Sequence, residues 1–314
     1  MGPEDLEELL NSINGQIAEL GDDAGIFEHN GDKWLQTVDF ITPVVNDPFT
    51  WGEISAANAL SDIYAMGGAP LTALSIACMD LSMGKEIVKD VFRGTVSKLR
   101  EAGTILLGGH TINDTEPKFG LAVFGITKEK VLEQKGAKPN QVVVLTKPVG
   151  VGSVIKALKE KLLKEEEIKE VVENMRILNK NAALLALDID ATACTDITGF
   201  GLLGHAYKIC KASGVGMLLR FKDVPIYEMA KSLIRKGIYP RGAVKNLNYV
   251  KEFLEINGLE EWQVLCLSDP VTSGGLMFTV DRTKISILTK KAKEYKVSFW
   301  IIGETISEKI IKVI

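Results

Sequence analysis

Little cysteine, little histidine and no surplus of basic charge mark this chain of 314 residues. Its four cysteines, Cys78, Cys194, Cys210 and Cys266, include no C-x-x-C pair, so neither a disulfide framework nor a zinc site is expected. Cys78 ends the apolar stretch 71–77 and is expected there as a small buried hydrophobe rather than a reactive thiol. Lys and Arg number 37 against 41 Asp and Glu, a formal net charge of −4. Such a mildly acidic balance is a poor match for a phosphate backbone, which argues against nucleic acid as a partner. No apolar run is long enough to span a bilayer, the start MGPED is not a basic signal-peptide region, and Leu6 stands where myristoylation needs Ser or Thr. No membrane partner is expected, and the expected location is the cytoplasm.

What the chain does have is 46% hydrophobic residues, enough for a sizeable interior, at a length that suits two domains. Hydrophobic periodicity predicts strands over 33–38 and 71–78 with a helix over 51–66 between them, then a helix over 85–102 and strands over 104–107 and 119–126. The polar, turn-rich stretch 134–140 predicts a connector, which sets an N-terminal α/β domain at 1–138 and a C-terminal α/β domain at 139–314. In the second half the pattern predicts a strand over 142–145, exposed helix over 156–173 continued through 175–187, strands over 215–219, 275–280 and 297–302, and helices over 227–235 and 283–295. The whole reads as an α/β (α+β) fold.

Three acidic signatures stand out: GDDA at 21–24, SDIYAMGG at 61–68 and TDITGFG at 195–201. Magnesium takes hard oxygen ligands, often one or two carboxylates with water and phosphate oxygens completing the shell, so aspartates dispersed among glycines suit a Mg-nucleotide site. Asp beside Gly is also common in turns and at helix N-caps, and it is the combination that points to metal. Asn58 and Asp62 stand at i and i+4, so on a helix both reach one cluster. Backbone N–H groups through 107–111 can approach a polyphosphate closely, with Gly108 and Gly109 removing side-chain obstruction. His110 in that stretch reads either as a nucleotide contact or as a packed imidazole.

Two familiar nucleotide motifs are imperfect. Residues 103–110 have the glycine spacing of a P-loop without its lysine. GFGLLG at 199–204, with Asp223 about twenty residues on, fits a dinucleotide fingerprint and keeps a dehydrogenase as a rival. Asp196 stands just before it, where an anion repels a pyrophosphate unless a cation intervenes.

Taken with TVDF at 37–40, NALSDIYAMGG at 58–68, GGHT at 108–111, TDITGFGLLGH at 195–205 and DPVTSGG at 269–275, the chain resembles the selenophosphate synthetases from about residue 20 to its end. The resemblance implies a homodimer of two-domain subunits similar to aminoimidazole ribonucleotide synthetase, dimerising through the N-terminal domain. ATP and several Mg²⁺ ions would lie between the domains and near the dimer interface. The implied reaction joins ATP, selenide and water into selenophosphate, AMP and orthophosphate. By motif match Asp23, Asp62 and Asp196 would hold metal. Asp22, Asp39, Asn58, Asp62, Gly109, His110 and Thr111 would contact the nucleotide.

The family carries near its start a Gly-rich segment with a catalytic Cys or selenocysteine followed closely by a Lys. Residues 2–10 resemble the stretch just after that segment, so no catalytic residue is assigned within these 314. The chain is therefore expected to bind Mg-ATP and to turn selenide over poorly. A hydrogenase-maturation or purine-synthesis enzyme of the same fold, and a non-catalytic nucleotide-binding regulator, are the alternatives.

Overall fold

A five-stranded sheet in the first half and a seven-stranded sheet in the second share the helices between them. The computed structural model describes residues 22–127 and 130–314; the segment 2–10 and Gly21 of the first acidic signature lie outside the described residues. In the first sheet β1 (Gly25–His29), β2 (Asp32–Ile41), β3 (Ala69–Met79), β4 (Ile105–Asn113) and β5 (Lys118–Thr127) run in the order β1-β2-β5-β3-β4. Helices α1 (Pro48–Ala65) and α2 (Lys85–Ala102) complete this half. The alternation of strand side chains decides what is covered. Leu35, Ala73, Leu121 and Val123 join the core with Ala56, Leu60 and Ile63 of α1, whereas Val38, Phe40 and Leu74 are exposed. Strand β3 pairs parallel with β4, and α2 is the crossover such a pair requires.

Asp47 caps α1 by accepting the Thr50 N–H at 2.8 Å, and Pro48 occupies the first turn, where an absent N–H loses no helical bond. The helix is apolar nearly all round because it is enclosed nearly all round, by the first sheet, by α2 and by elements of the second half. It crosses α2 at backbone contact. A Cβ added at Gly52 would lie 2.0 Å from the Val91 carbonyl oxygen, and one at Gly94 would lie 1.9 Å from that of Phe49.

The second sheet comprises β6 (Gln141–Leu145), β7 (Ala193–Asp196), β8 (Gly216–Leu219), β9 (Leu254–Ile256), β10 (Leu276–Asp281), β11 (Trp300–Ile306) and β12 (Ile311–Val313), ordered β7-β10-β6-β11-β8-β12-β9. Around it lie α3 (Val151–Lys159), α4 (Lys169–Arg176), α5 (Lys180–Asp188), α6 (Gly201–Ser213), α7 (Glu228–Arg235), α8 (Arg241–Val250), α9 (Glu261–Ser268) and α10 (Ile285–Tyr295). Both faces are covered. Val143 and Leu145 of β6 pack with α3 and α6, while Val142 and Val144 pack with α5 and α10, which is why all five residues of this strand are buried.

Several sequence expectations are corrected. The long charged helix over 156–187 is three helices and a short 3-10 turn. Lys161 turns left-handed at φ 59° behind α3, and Ile177 is extended, its carbonyl accepting the Lys147 ammonium at 2.7 Å. The strand expected over 297–302 begins only at Trp300, because the Val297 N–H is taken by the Ala292 carbonyl in the left-handed close of α10. The strand expected over 104–107 runs on through 108–113 as β4, so residues 107–111 lie within it. Cys78 is half-buried rather than buried. The dinucleotide reading fails because β7, the strand leading into α6, pairs antiparallel with β10 instead of sitting in a parallel sheet. Among the described residues no helix is long and apolar enough to cross a membrane.

Candidate metal and nucleotide site

Asp23 precedes β1, Asp62 lies in the last turn of α1 and Asp196 ends β7, yet the three carboxylates converge. Each feels the charge of at least one other: Asp23 faces Asp196, and Asp62 faces both. Each also accepts a hydroxyl from a different element. Thr195 donates to Asp23 Oδ1 at 2.9 Å, Thr37 of β2 donates to Asp62 Oδ2 at 2.5 Å, and Ser61 donates to Asp196. Ser61 is in turn oriented by the Asn179 amide at 2.8 Å, which also holds the Gly274 carbonyl.

Burial is the main force on these groups. It pushes the Asp23 and Asp62 carboxyls well above the usual carboxylate range, with repulsion from the neighbouring aspartates adding to it. Burial likewise raises Asp196 from 3.8 to about 6 against the Ser61 hydrogen bond. Two cations, Lys208 and Lys147, act on the cluster through their charge, and Lys147 makes its hydrogen bonds elsewhere. The Lys147 ammonium is buried, donates to the Ile177 and Ser273 carbonyls, and is lowered by desolvation to about 7, with Asp196 opposing the shift.

A buried carboxylate oxygen without a donor is costly unless a cation completes it. Asp23 Oδ2 and Asp196 Oδ2 are both enclosed and have no hydrogen-bond partner, and the ligand atoms of Asp23, Asp196 and His205 all lie within 4.8 Å of one another. The donor set is oxygen-rich and anionic, which fits a hard divalent ion such as Mg²⁺.

The other residues singled out in the sequence fall in three places. Asp22 is half-buried beside Asp23, its carboxylate accepting the N–H groups of Asp23 at 2.9 Å and Gln134 at 3.2 Å; burial raises its carboxyl. Asp39 accepts the Asn58 amide, and Asn58 Oδ1 accepts the Ser273 N–H at 2.8 Å, so the site's floor is tied to the DPVTSGG loop. Gly109 lies on the same transverse row of the first sheet as Asp39, through Leu121 and Ser75. His110 falls on the next row with Phe40, Gly120 and Ile76, hence on the opposite face from Asp39, and Thr111 returns to the Asp39 side.

Sequence reasoning passed over Thr37, Ser61, Gln134, Lys147, Asn179, Thr195, His205 and Ser273 as site residues. Most sat inside the quoted strings without a role; Gln134, Lys147 and Asn179 carried no local signal. Asp269 of the last string supports the fold. It is buried and accepts the backbone N–H and hydroxyl of Ser153 at 2.9 and 2.7 Å, closing the start of α3, with burial lifting its carboxyl to about 7. A cavity of about 430 Å³ between α2 and the α4–α5 corner, lined by Lys98, Glu101, Glu173 and Arg176 among others, includes none of the three aspartates.

Residues 21–127 match the family model "AIR synthase related protein, N-terminal domain", and residues 138–314 match the corresponding C-terminal domain. Proteins named selenide, water dikinase from Clostridioides difficile and from Caldanaerobacter subterraneus are each 42% identical to this chain. The first alignment covers 93% of this chain and 87% of that protein, the second 95% and 86%. The chain belongs to the selenide, water dikinase family. As a member of this family, the selenophosphate synthetases, it is an enzyme of the phosphotransferase kind with the AIR synthase fold. That fold is shared more widely. A hydrogenase maturation protein, HypE, solved in complex with ATP, has a TM-score of 0.67 at 15% identity, covering 94% of this chain and 80% of that one. At that identity the likeness speaks to architecture alone.

Proposed function

We propose that the chain binds Mg-ATP between its two halves and takes part in converting ATP, selenide and water to selenophosphate, AMP and orthophosphate. The observation that carries the reading is the pair of buried oxygens without donors, Asp23 Oδ2 and Asp196 Oδ2, beside Asp62. Three carboxylates pressed together at neutral pH are satisfied by divalent charge, and Asp23, Asp62 and Asp196 would hold it. Bound there, Mg²⁺ supplies the neutralisation that phosphoryl transfer from a polyanion requires.

The chain's own groups supply position. Asp39, fixed by Asn58, faces the same side of the sheet as Gly109 and Thr111, and Asp22 borders the metal cluster; these we assign to the nucleotide. With the domains divided at 138/139, the acidic cluster would lie where the halves meet.

We further propose that the enzyme is a homodimer formed through the open face of the first sheet. Val38, Phe40, Leu74 and Ile112 on that half are 57, 49, 48 and 47% exposed, an apolar patch of the kind that marks an interface. His110 projects onto this face, so its nucleotide contact would be made at the dimer interface.

Phosphorus NMR of ATP, Mg²⁺ and selenide tests the reaction. Selenophosphate and AMP that appear only with selenide support the proposal; ADP as the sole new nucleotide, or no selenide dependence, contradicts it.

A further inference from the structure

His205 sits within 4.8 Å of the Asp23 and Asp196 oxygens, which leaves it two roles: a third ligand to the metal, or a support behind the ligands. Its hydrogen bonds decide. The Thr198 backbone N–H, which can only donate, points at Nε2 at 3.1 Å, so Nε2 is an acceptor and the ring proton is on Nδ1. Nδ1 faces Thr195 Oγ1 at 3.3 Å and donates to it. The Thr195 hydroxyl is then free to give its own proton to Asp23 Oδ1 at 2.9 Å, and Gln134 Nε2 donates to the same oxygen at 3.0 Å. Both donors fall on Oδ1, and Oδ2 is the one left buried without a partner. The ring itself is buried on α6 beside Phe200, and burial holds it neutral.

We propose that His205 is a positioning residue that acts through Thr195 to aim Asp23 Oδ2 into the metal cluster, and that it is not a metal ligand. Both imidazole nitrogens are already engaged, and a hard oxygen-seeking ion gains little from displacing them. The inference rests on the reading that the acidic cluster holds a divalent ion.

The test uses Mn²⁺ as the probe for the Mg²⁺ position, in the full chain with ATP, with free Mn²⁺ measured by electron paramagnetic resonance. Thr195→Val and His205→Ala should each weaken Mn²⁺ by about 10- to 100-fold, the usual range for a lost supporting contact. The double variant should be no weaker than either single one, because both break one chain of bonds. Thr195→Ser, which keeps the hydroxyl, should bind as the parent does. Should His205→Ala fail to fold, His205→Gln, whose amide can both accept from Thr198 and donate towards Thr195, is expected to bind better than Thr195→Val. In the parent protein, electron spin echo modulation should show no directly coordinated ring nitrogen. Imidazole nitrogen coupling to Mn²⁺, additive losses in the double variant, or unchanged affinity in Thr195→Val overturns the inference. Equal Mn²⁺ binding by the parent and Asp196→Asn removes the metal reading itself, and the inference with it.

Discussion

Asn58 and Ser273, 215 positions apart, are joined by a 2.8 Å hydrogen bond from the Ser273 N–H to Asn58 Oδ1, while the other end of the same amide donates to Asp39. One side chain thus fixes the carboxylate that we assign to the nucleotide and the DPVTSGG loop together. Asn58→Ala leaves the buried Ser273 N–H without its partner and removes one of the donors to the half-buried Asp39 carboxylate, which keeps the Phe40 N–H. We expect a loss on the order of 2 to 4 kcal/mol in urea denaturation, with weaker ATP binding in whatever folded protein remains. Unchanged stability would show that the two halves do not depend on this amide.

The acidic cluster predicts an unusual pH dependence. Asp196 is raised from 3.8 to about 6 in the folded chain, so the folded state binds that proton more tightly than the unfolded one. Its contribution to stability is full below about pH 4 and is lost as pH rises through about 6. In metal-free buffer at pH 8, Asp196→Asn should therefore be more stable than the parent by on the order of 1 to 3 kcal/mol, with the difference vanishing near pH 4. Excess Mg²⁺ should reverse the order at pH 8, because only the parent gains from the ion. Thermal melts of both proteins with and without chelator check this; a parent more stable than Asp196→Asn in chelator at pH 8 contradicts it.

Gly109 separates a structural need from a functional one. A Cβ there would lie 2.1 Å from Ser75 Oγ, 2.2 Å from its carbonyl oxygen and 2.6 Å from its nitrogen, so β3 and β4 would have to part. Gly109→Ala should lose roughly 1 to 3 kcal/mol or more without any nucleotide present. A variant as stable as the parent but weaker for ATP would assign the glycine wholly to the phosphates.

The open face of the first sheet predicts the assembly. Phe40→Glu or Leu74→Glu places charge in the exposed apolar patch and should convert a dimer to a monomer in sedimentation velocity, with little change in the melting of the monomer fold. A parent protein that sediments as a monomer contradicts the proposed interface.

The fold was legible where hydrophobic periodicity runs long, as in α2 and the ten-residue strands β2 and β5. It was not legible for β7, β9 and β12, which are only three or four residues long, too short to show a period of two. The three clustered aspartates were visible because glycines lie near each of them along the chain, with a hydroxyl residue directly before Asp62 and Asp196. Their supports were not: Asn179 reaches Ser61 across 118 positions, and Gln134 reaches Asp23 across 111. Such contacts are made by tertiary packing and leave no local pattern. Gly108 and Gly109 suggested backbone open to a polyphosphate, but at 109 the close approach to Ser75 in an extended strand calls for the same residue. Cys78 was misplaced for a related reason, since an apolar strand does not reveal which of its faces the rest of the subunit leaves open.

The most direct measurement is diffraction from crystals grown with ATP and Mn²⁺, using the anomalous signal to locate the metal. The account predicts manganese bound to phosphate oxygens and to Asp23 Oδ2 and Asp196 Oδ2 at about 2.1 Å, near the octahedral Mg²⁺ distance, with Asp62 in the same cluster. Metal held by the phosphates alone, with the two aspartate oxygens still unengaged, contradicts it.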